Sequence, residues 1–340
     1  MKKIKVGING FGRIGRAFLK VAWDRPEIEV VAVNDLGDIA NMAYLLKYDT
    51  VYKKWEHDIK VEGDNIIIDG KKVKYISEKE PTKLPWKDLE IDIAVEATGI
   101  FVNYDKAKVH LDAGAKKVVI TAPSKGDSTV PGETILLGVN EEKFGTCDIS
   151  SNASCTTNAA APLIAILDEA LGIEKALLNT THALTNNQPT VDSVSKKDFR
   201  EGRAGGHNMV PSSTGAAIAV TKAFPKLTGL FDGIAIRVPI ISGSIADITF
   251  ISKRETTKEE VNDILRKAAK EKRWQGVFST TDEPLVSSDI LDNPHASIAD
   301  LGLTRVVGGN LVKVMGWYDN EMGYTYTLID HVIKTGETIK

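Results

Sequence analysis

Gly10-Phe11-Gly12-Arg13-Ile14-Gly15 follows a short apolar strand pattern at 4–9 and leads into a helical pattern at 16–24. A second strand pattern at 29–34 ends at Asp35, twenty residues past Gly15. Together they form a β–turn–α–β unit of the size of half a nucleotide-binding sheet. In that setting the three glycines serve a tight turn, close approach of backbone to a pyrophosphate, and helix–strand packing. The helix N-terminus then faces the phosphates with free N–H groups. Asp35 would accept hydrogen bonds from the adenosine ribose hydroxyls and repel a 2′-phosphate, so NAD is the expected dinucleotide.

The pattern continues outward. Asp69-Gly70 between apolar runs marks a hairpin within 60–75. Buried parallel strands are expected at 91–96 and 117–121, with helical spacing at 104–113 between them and further strands at 134–138 and 148–151. Residues 1–153 therefore read as one α/β, Rossmann-type, doubly wound domain. Beyond it come a long helix at 156–171 and a strand at 176–183. A polar, aperiodic stretch at 185–210 is expected to be a long ordered loop. A helix at 215–224, strands at 233–238, 244–252 and 311–317, and a charged helix at 258–272 follow. Strands in long runs point to an α+β domain at 154–318 with a large, mostly antiparallel sheet. A last helix at 322–334 belongs to a C-terminal segment, about 319–340, expected to complete the first domain.

The chain has 340 residues, 42% of them apolar, enough for two domains with real cores. Forty-three basic against 46 acidic side chains leave a net charge of -3, which gives no general reason to bind nucleic acid or membranes. Two cysteines make no disulfide framework, and no Cys/His cluster has metal-ligand spacing, so no metal is expected. The N-terminus turns strand-like too soon for a signal peptide, and no apolar run is long enough for a membrane span. A reducing, cytoplasmic setting is expected.

The chemistry is read from Ser154-Cys155-Thr156-Thr157-Asn158, which opens the long helix. Free amides and the dipole at a helix N-terminus favour a thiolate, so Cys155 is the candidate nucleophile. Cys147 reads as a small buried hydrophobe. His182, where a strand meets the polar loop, is the candidate base and thiolate partner.

These segments resemble, from end to end, the phosphorylating glyceraldehyde-3-phosphate dehydrogenases. The resemblance rests on 7–16 around the glycine turn, Asn34-Asp35, Leu45–Asp49 and Glu96-Ala-Thr-Gly99. It continues through Ala153–Asn158, Pro211–Ala217, Arg237-Val-Pro239 and Trp317–Glu321. It implies a thiohemiacetal and then a thioester on Cys155, with NAD reduced and inorganic phosphate attacking to give 1,3-bisphosphoglycerate. Thr185 and Arg237, with Arg200 nearby, match the substrate-phosphate site, and Ser154, Thr156, Thr214 and Gly215 match the second phosphate site. Asn320 matches the holder of the nicotinamide carboxamide, Thr121 a residue near its ribose, and Arg13 and Ile14 backbone contacts to the pyrophosphate. The resemblance also implies a homotetramer, with the long loop at subunit interfaces.

The chain departs from that pattern in places. Lys79 stands where an Arg commonly lies near the adenine, and Ala159 replaces a second cysteine. Val194-Ser195 replaces a Leu-Pro pair, which suggests weak NADP use, whereas Leu36 argues the other way. Met322 replaces a usual Trp, with no consequence derived. The alternative enzyme is erythrose-4-phosphate dehydrogenase, which typically departs from the Ser-Ser-Thr-Gly-Ala-Ala run that this chain keeps. From a different class, a non-catalytic NAD-binding redox sensor would lack the base and anion donors.

Overall fold

The computed structural model describes residues 3–195 and 198–339. Met1, Lys2, Lys196, Lys197 and Lys340, which belong to the N-terminal run, the long loop and the C-terminal segment, lie outside the described residues. The chain divides into two compact units. One comprises Met1–Ile135, Glu141–Ala153 and Leu328–Lys340, the other Leu136–Asn140 and Ser154–Thr327. The last helix, Met322–Glu337, thus changes unit at Leu328 rather than near 319.

The first unit is built on a nine-stranded sheet. From one edge its strands are Gly132–Thr134, Ile149–Ser151, Lys117–Ile120, Ile93–Glu96, Ile4–Asn9, Ile28–Asn34, Lys71–Ile76, Asn65–Ile68 and Ile59–Glu62. All pairings are parallel up to Lys71–Ile76, and the last two strands are antiparallel. Val6, Ile8, Ala32, Val33, Ile93, Val95, Val118 and Val119 are fully buried, as a sheet covered on both faces requires. Ile4–Asn9 lies between Ile28–Asn34 and Ile93–Glu96, so the chain winds both ways from it. The carboxyl ends at such a switch point are where open α/β sheets bind ligands. Asp69 and Gly70 both have positive φ (49° and 80°), the conformation of a two-residue hairpin turn with the strands' own twist.

Several expectations are corrected. The first helix starts at Arg13, not 16, because the glycine turn needs only Gly10–Gly12. The helical spacing at 104–113 forms two single turns, Tyr104–Ala107 and Val109–Asp112, hinged at Lys108. The strand expected at 134–138 lies upstream at Gly132–Thr134. Ile135, whose amide still donates to Ser151 O (3.0 Å), Leu136 and Leu137 are buried beyond the end of the strand, which is what makes them look like part of it. A helix at Ile39–Lys47 was not expected; Asp38 caps it by accepting from the Asn41 amide.

The second unit holds an eight-stranded sheet. In order its strands are Val210–Ser213, Phe231–Arg237, Ile173–His182, Ser244–Ser252, Leu311–Tyr318, Ser297–Asp300 and Phe278–Thr281, with Arg305–Val307 also paired to Leu311–Tyr318. Only Ile173–His182 with Phe231–Arg237, and Phe278–Thr281 with Ser297–Asp300, run parallel. The helix Cys155–Leu171 packs on this sheet and buries nearly its whole length. Helices Ala216–Ala223 and Lys258–Ala268 pack beside it. The described residues of the polar stretch are held by contacts to one another and to the next strand: Ser193 N–H donates to Gly202 O (2.8 Å), Gly205 N–H to Pro189 O (2.9 Å), and the Ser212 hydroxyl to Glu201 Oε1 (2.6 Å).

Candidate active site

In the first unit the carboxyl ends of the central strands carry the glycine turn. Gly10 has φ +94°, and a β-carbon there would stand 2.7 Å from Ala97 C and Thr98 N, so the turn admits only glycine. Gly15 backs directly onto the Gly10 carbonyl. Gly12 differs: nothing lies within 4 Å of where its β-carbon would be. Gly12 is the N-cap of Arg13–Trp23 and supplies no side-chain cap, and the space its side chain would occupy is open. This is a cradle a side chain would fill and a pyrophosphate fits.

Asp35 closes the turn. Its Oδ2 accepts from the Phe11 amide (2.7 Å) and its Oδ1 from the Gly37 amide (2.9 Å). The carboxylate expected to meet a ribose therefore also shapes the loop, using lone pairs a hydroxyl can share. The exposed Arg13 side chain pairs with Asp49, within the Leu45–Asp49 motif, at 3.1 Å. Ile14 is partly buried in the helix's first turn. Thr121 follows the strand Lys117–Ile120, its amide donating to Glu96 O (3.0 Å), and Lys79 is exposed on the segment after Lys71–Ile76.

In the second unit, strand register assembles the chemistry. His182 and Arg237 end adjacent parallel strands as direct partners. Cys155 is the first residue of the helix lying on that sheet, and Ser154 caps it by accepting from the Thr157 amide (3.1 Å). The result is Cys155 Sγ 3.4 Å from His182 Nε2. His182 Nδ1 lies 2.7 Å from Ala183 O and 2.6 Å from Arg237 Nη1. The two contacts require opposite tautomers. Against Arg237, which only donates, Nδ1 must be bare; against the Ala183 carbonyl it must carry the proton, which leaves Nε2 bare toward the sulfur.

Burial, and then the Arg237 charge, push the His182 imidazole down to about 3. Burial pushes the Cys155 thiol up, opposed by Arg237, by the Thr156 hydroxyl and by the Thr156 and Cys155 amides. The expectation that free amides and the helix dipole favour a thiolate at Cys155 is thereby corrected. The amides and guanidinium do act in that direction, but desolvation outweighs them, and the resting pair is thiol and neutral imidazole.

Tyr318 was not singled out from sequence. Its hydroxyl bridges the Thr156 hydroxyl (2.9 Å) and the Thr180 hydroxyl (2.7 Å), and its ring meets His182 edge-on at 5.8 Å. It lies inside the Trp317–Glu321 motif, but its partners are 138 and 162 residues away, so only strand pairing could reveal them.

The anion donors are placed unevenly. The Arg237 Nε is buried without a hydrogen-bond partner, a charged donor fixed in the site. Gly215 caps Ala216–Ala223 with no side-chain cap and open space above it, and the Thr214 hydroxyl accepts from the Ala216 amide (3.1 Å). Thr185 is exposed, its amide and hydroxyl both donating to Gln188 Oε1. The exposed Arg200 is committed to Asp198 through Nε and Nη2. The Asn320 side-chain oxygen accepts from the Gly243 amide (3.1 Å) and the Ser244 hydroxyl (2.9 Å), which leaves its Nδ2 donors as what it offers a ligand.

Comparison with known proteins adds to this geometry. Residues 4–104 match the family model described as the NAD binding domain of glyceraldehyde 3-phosphate dehydrogenase, and 154–320 match its C-terminal domain. The chain is 46% identical over 330 residues to glyceraldehyde-3-phosphate dehydrogenase of Eremothecium gossypii, covering 97% of this chain and 98% of that protein. Glyceraldehyde-3-phosphate dehydrogenase of Mycolicibacterium smegmatis is 47% identical over 345 residues, with 99% of each covered. Glyceraldehyde-3-phosphate dehydrogenase 3 of Saccharomyces cerevisiae is 46% identical over 339 residues, 97% and 99% covered. No described helix is long and apolar enough to cross a membrane.

Proposed function

The chain belongs to the glyceraldehyde-3-phosphate dehydrogenase family, and from that premise we propose that it oxidises and phosphorylates glyceraldehyde 3-phosphate to 1,3-bisphosphoglycerate, reducing NAD, as a step of glycolysis and gluconeogenesis. The observation that carries this reading is the approach of Cys155 Sγ to His182 Nε2 beside Arg237.

Arg237 and Thr185 hold the substrate phosphate. Pairing with that anion draws the guanidinium charge off Nδ1, removes one of the two causes that depress His182, and leaves the Nδ1 proton to Ala183 O. Nε2 then takes the Cys155 proton as the sulfur attacks the aldehyde carbon. It returns that proton to the alkoxide, giving the thiohemiacetal, and takes the hydroxyl proton as hydride leaves the carbon. NAD, when bound, supplies the hydride acceptor. Gly10, Gly12, Gly15, Arg13 and Ile14 hold its pyrophosphate, Asp35 and Lys79 the adenosine side, and Thr121 and Asn320 the nicotinamide side. The thioester left on Cys155 is attacked by inorganic phosphate held by Thr214, the Gly215 amide region and the Ser154 hydroxyl; the acyl carbon–sulfur bond breaks, 1,3-bisphosphoglycerate leaves, and the Cys155 sulfur takes its proton back from His182 Nε2. Thr156 contributes its amide toward the sulfur and its hydroxyl to Tyr318. Arg200, which the resemblance puts near the substrate phosphate, is paired with Asp198.

The direct test is phosphate-dependent NADH formation from glyceraldehyde 3-phosphate. Cys155→Ser should lower it by about 10³ or more, since a hydroxyl is far harder to ionise than a thiol. Wild-type activity in that variant overturns the mechanism. The Asp35 carboxylate and the exposed Leu36 support NAD over NADP, with weak NADP use at most. A higher kcat/KM with NADP reverses that assignment.

The assembly assigned is a homotetramer in a reducing, cytoplasmic setting. Support comes from the exposed apolar side chains of Val194 and Phe199 (95% and 87% exposure) in the polar stretch, and from free thiols at Cys147 and Cys155. A monomer mass by light scattering refutes the tetramer.

A further inference from the structure

Under the glycine turn of the first unit runs a chain of buried polar side chains that the reaction above does not use. Glu96 ends its strand in register with Asn9, and Asn9 is in register with Asn34. The Glu96 and His110 side chains have no exposed surface. Glu96 accepts four hydrogen bonds. Oε2 takes them from Asn9 Nδ2 (2.6 Å) and His110 Nε2 (2.9 Å), and Oε1 from the Thr98 amide (2.8 Å) and the Thr98 hydroxyl. The Trp86 indole N–H, a donor only, points at His110 Nδ1 (3.1 Å), so the imidazole proton sits on Nε2 and faces Glu96. Asn34 Nδ2 donates to Asn9 Oδ1 (2.7 Å) and to Glu78 O (2.9 Å), and Asn34 Oδ1 accepts from the Glu78 amide (2.8 Å).

A carboxyl group buried among neutral donors is costly to place, and a fold that needed only a filled core would use an apolar residue there. The donors share a location. Asn9 precedes Gly10, Thr98 precedes Gly99, which has φ +72°, and Glu78 precedes Lys79. One carboxylate thus ties together three strand ends at the carboxyl edge of the sheet.

We propose that Glu96, oriented through Trp86 and His110, is a positioning residue for the dinucleotide: it sets the Gly10 turn against the Thr98–Gly99 turn and, through Asn34, the Glu78-Lys79 segment. The proposal rests on the assignment of NAD to the glycine turn. Glu96→Gln tests it at constant shape. Whichever way the new amide is turned, its NH2 meets donors: Asn9 and His110 on one side, the Thr98 amide on the other.

The expected result, by calorimetry on purified NAD-free protein, is a Kd for NAD raised about tenfold or more, the size of one misplaced buried hydrogen bond. The KM for NAD should follow. The kcat at saturating NAD should stay within about twofold, because only binding is disturbed. The rate at which iodoacetamide alkylates Cys155 without NAD should not change. Adding Asn9→Asp to Glu96→Gln moves the acceptor across the 2.6 Å contact and should recover part of the affinity. Asn9→Asp alone sets two carboxylates face to face and should bind worse than wild type. Trp86→Phe, which removes only the donor to Nδ1, should give a smaller loss and serves where Glu96→Gln does not fold. A Kd within about twofold of wild type, with only the melting temperature lowered, overturns the proposal and leaves the cofactor assignment standing. A wild-type protein that binds no NAD overturns both.

Discussion

The helices Arg13–Trp23 and Cys155–Leu171 begin in opposite ways. The first is capped by Gly12, which offers no side chain and opens onto free space. The second is capped by the Ser154 hydroxyl, and its next amides are turned toward the Cys155 sulfur. An unfilled N-terminus is a place for an external anion; a filled one lends its field to a group of the chain itself. In the function proposed, the same backbone physics serves binding in one unit and reactivity in the other, and the choice is made by one residue at each cap.

The largest effect that tests this contrast is His182→Asn. It should lower kcat by about 10²–10⁴ through loss of the general base, while calorimetry shows the Kd for NAD unchanged. A parallel loss of NAD affinity would mean that the two sites do not have separate duties.

Next come the glycines. Gly10→Ala should cost about 3 kcal/mol or more in denaturant unfolding, because its φ is left-handed and the new methyl meets backbone that cannot give way. Gly12→Ala should change stability by less than about 1 kcal/mol, since the methyl enters open space, yet should raise the KM for NAD. Equal effects of the two substitutions on stability would remove the distinction between a structural and a ligand-facing glycine.

These two sites also differ in how far sequence alone reveals them. The glycine turn, Asp35 and the Asp69-Gly70 hairpin have their motif spacing within one β–α–β unit or one turn, and that spacing exposes them, although the backbone Gly10 faces, at Ala97 and Thr98, lies outside it. The strand at Ser244–Ser252 was legible to the residue because it alternates buried and half-exposed side chains throughout. Phe278–Thr281, Ser297–Asp300 and Arg305–Val307 were not, being three or four residues long and lacking such alternation. Cys155 and His182 could be named from their motifs. Their 3.4 Å approach, the Arg237 contact and the Tyr318 bridge depend on register between strands far apart in sequence. The thiol's direction of titration was misjudged for a related reason: a helix terminus is visible in sequence, whereas the protein that crowds the sulfur is not.

Each unit also buries a histidine held neutral. His331, at 2.8 Å from the Ser150 hydroxyl, is pushed to about 3 by burial, and His182 to about 3 by burial and Arg237. For both, the native value lies below the ordinary one near 6.5. The unfolded chain therefore takes up a proton as pH falls through 6.5 while the folded chain does not, and stability is lost between pH 6.5 and 3. Each should cost about 2 kcal/mol at pH 5 relative to pH 8 in urea titrations. Replacing His331 by Gln should flatten the pH dependence. Arg237→Gln should flatten only the part due to His182, by removing the second of its two causes. An unchanged pH slope in both variants would show that carboxylates, not these imidazoles, govern acid lability.

The smallest effect concerns the closed cap itself. Ser154→Ala should destabilise by about 1 kcal/mol through loss of the Thr157 amide's acceptor, and Ser154→Gly by only a few tenths, since glycine leaves that amide to water. Stability then ranks the variants wild type, Gly, Ala. If the Ser154 hydroxyl also donates to the attacking phosphate, the KM for phosphate follows a different order, because alanine and glycine lack that donor equally and should raise it by the same factor. A KM that instead tracks the stability ranking would assign Ser154 wholly to the cap, and the second anion site would then be built from Thr214, whose hydroxyl accepts from the Ala216 amide, and the open space beside Gly215.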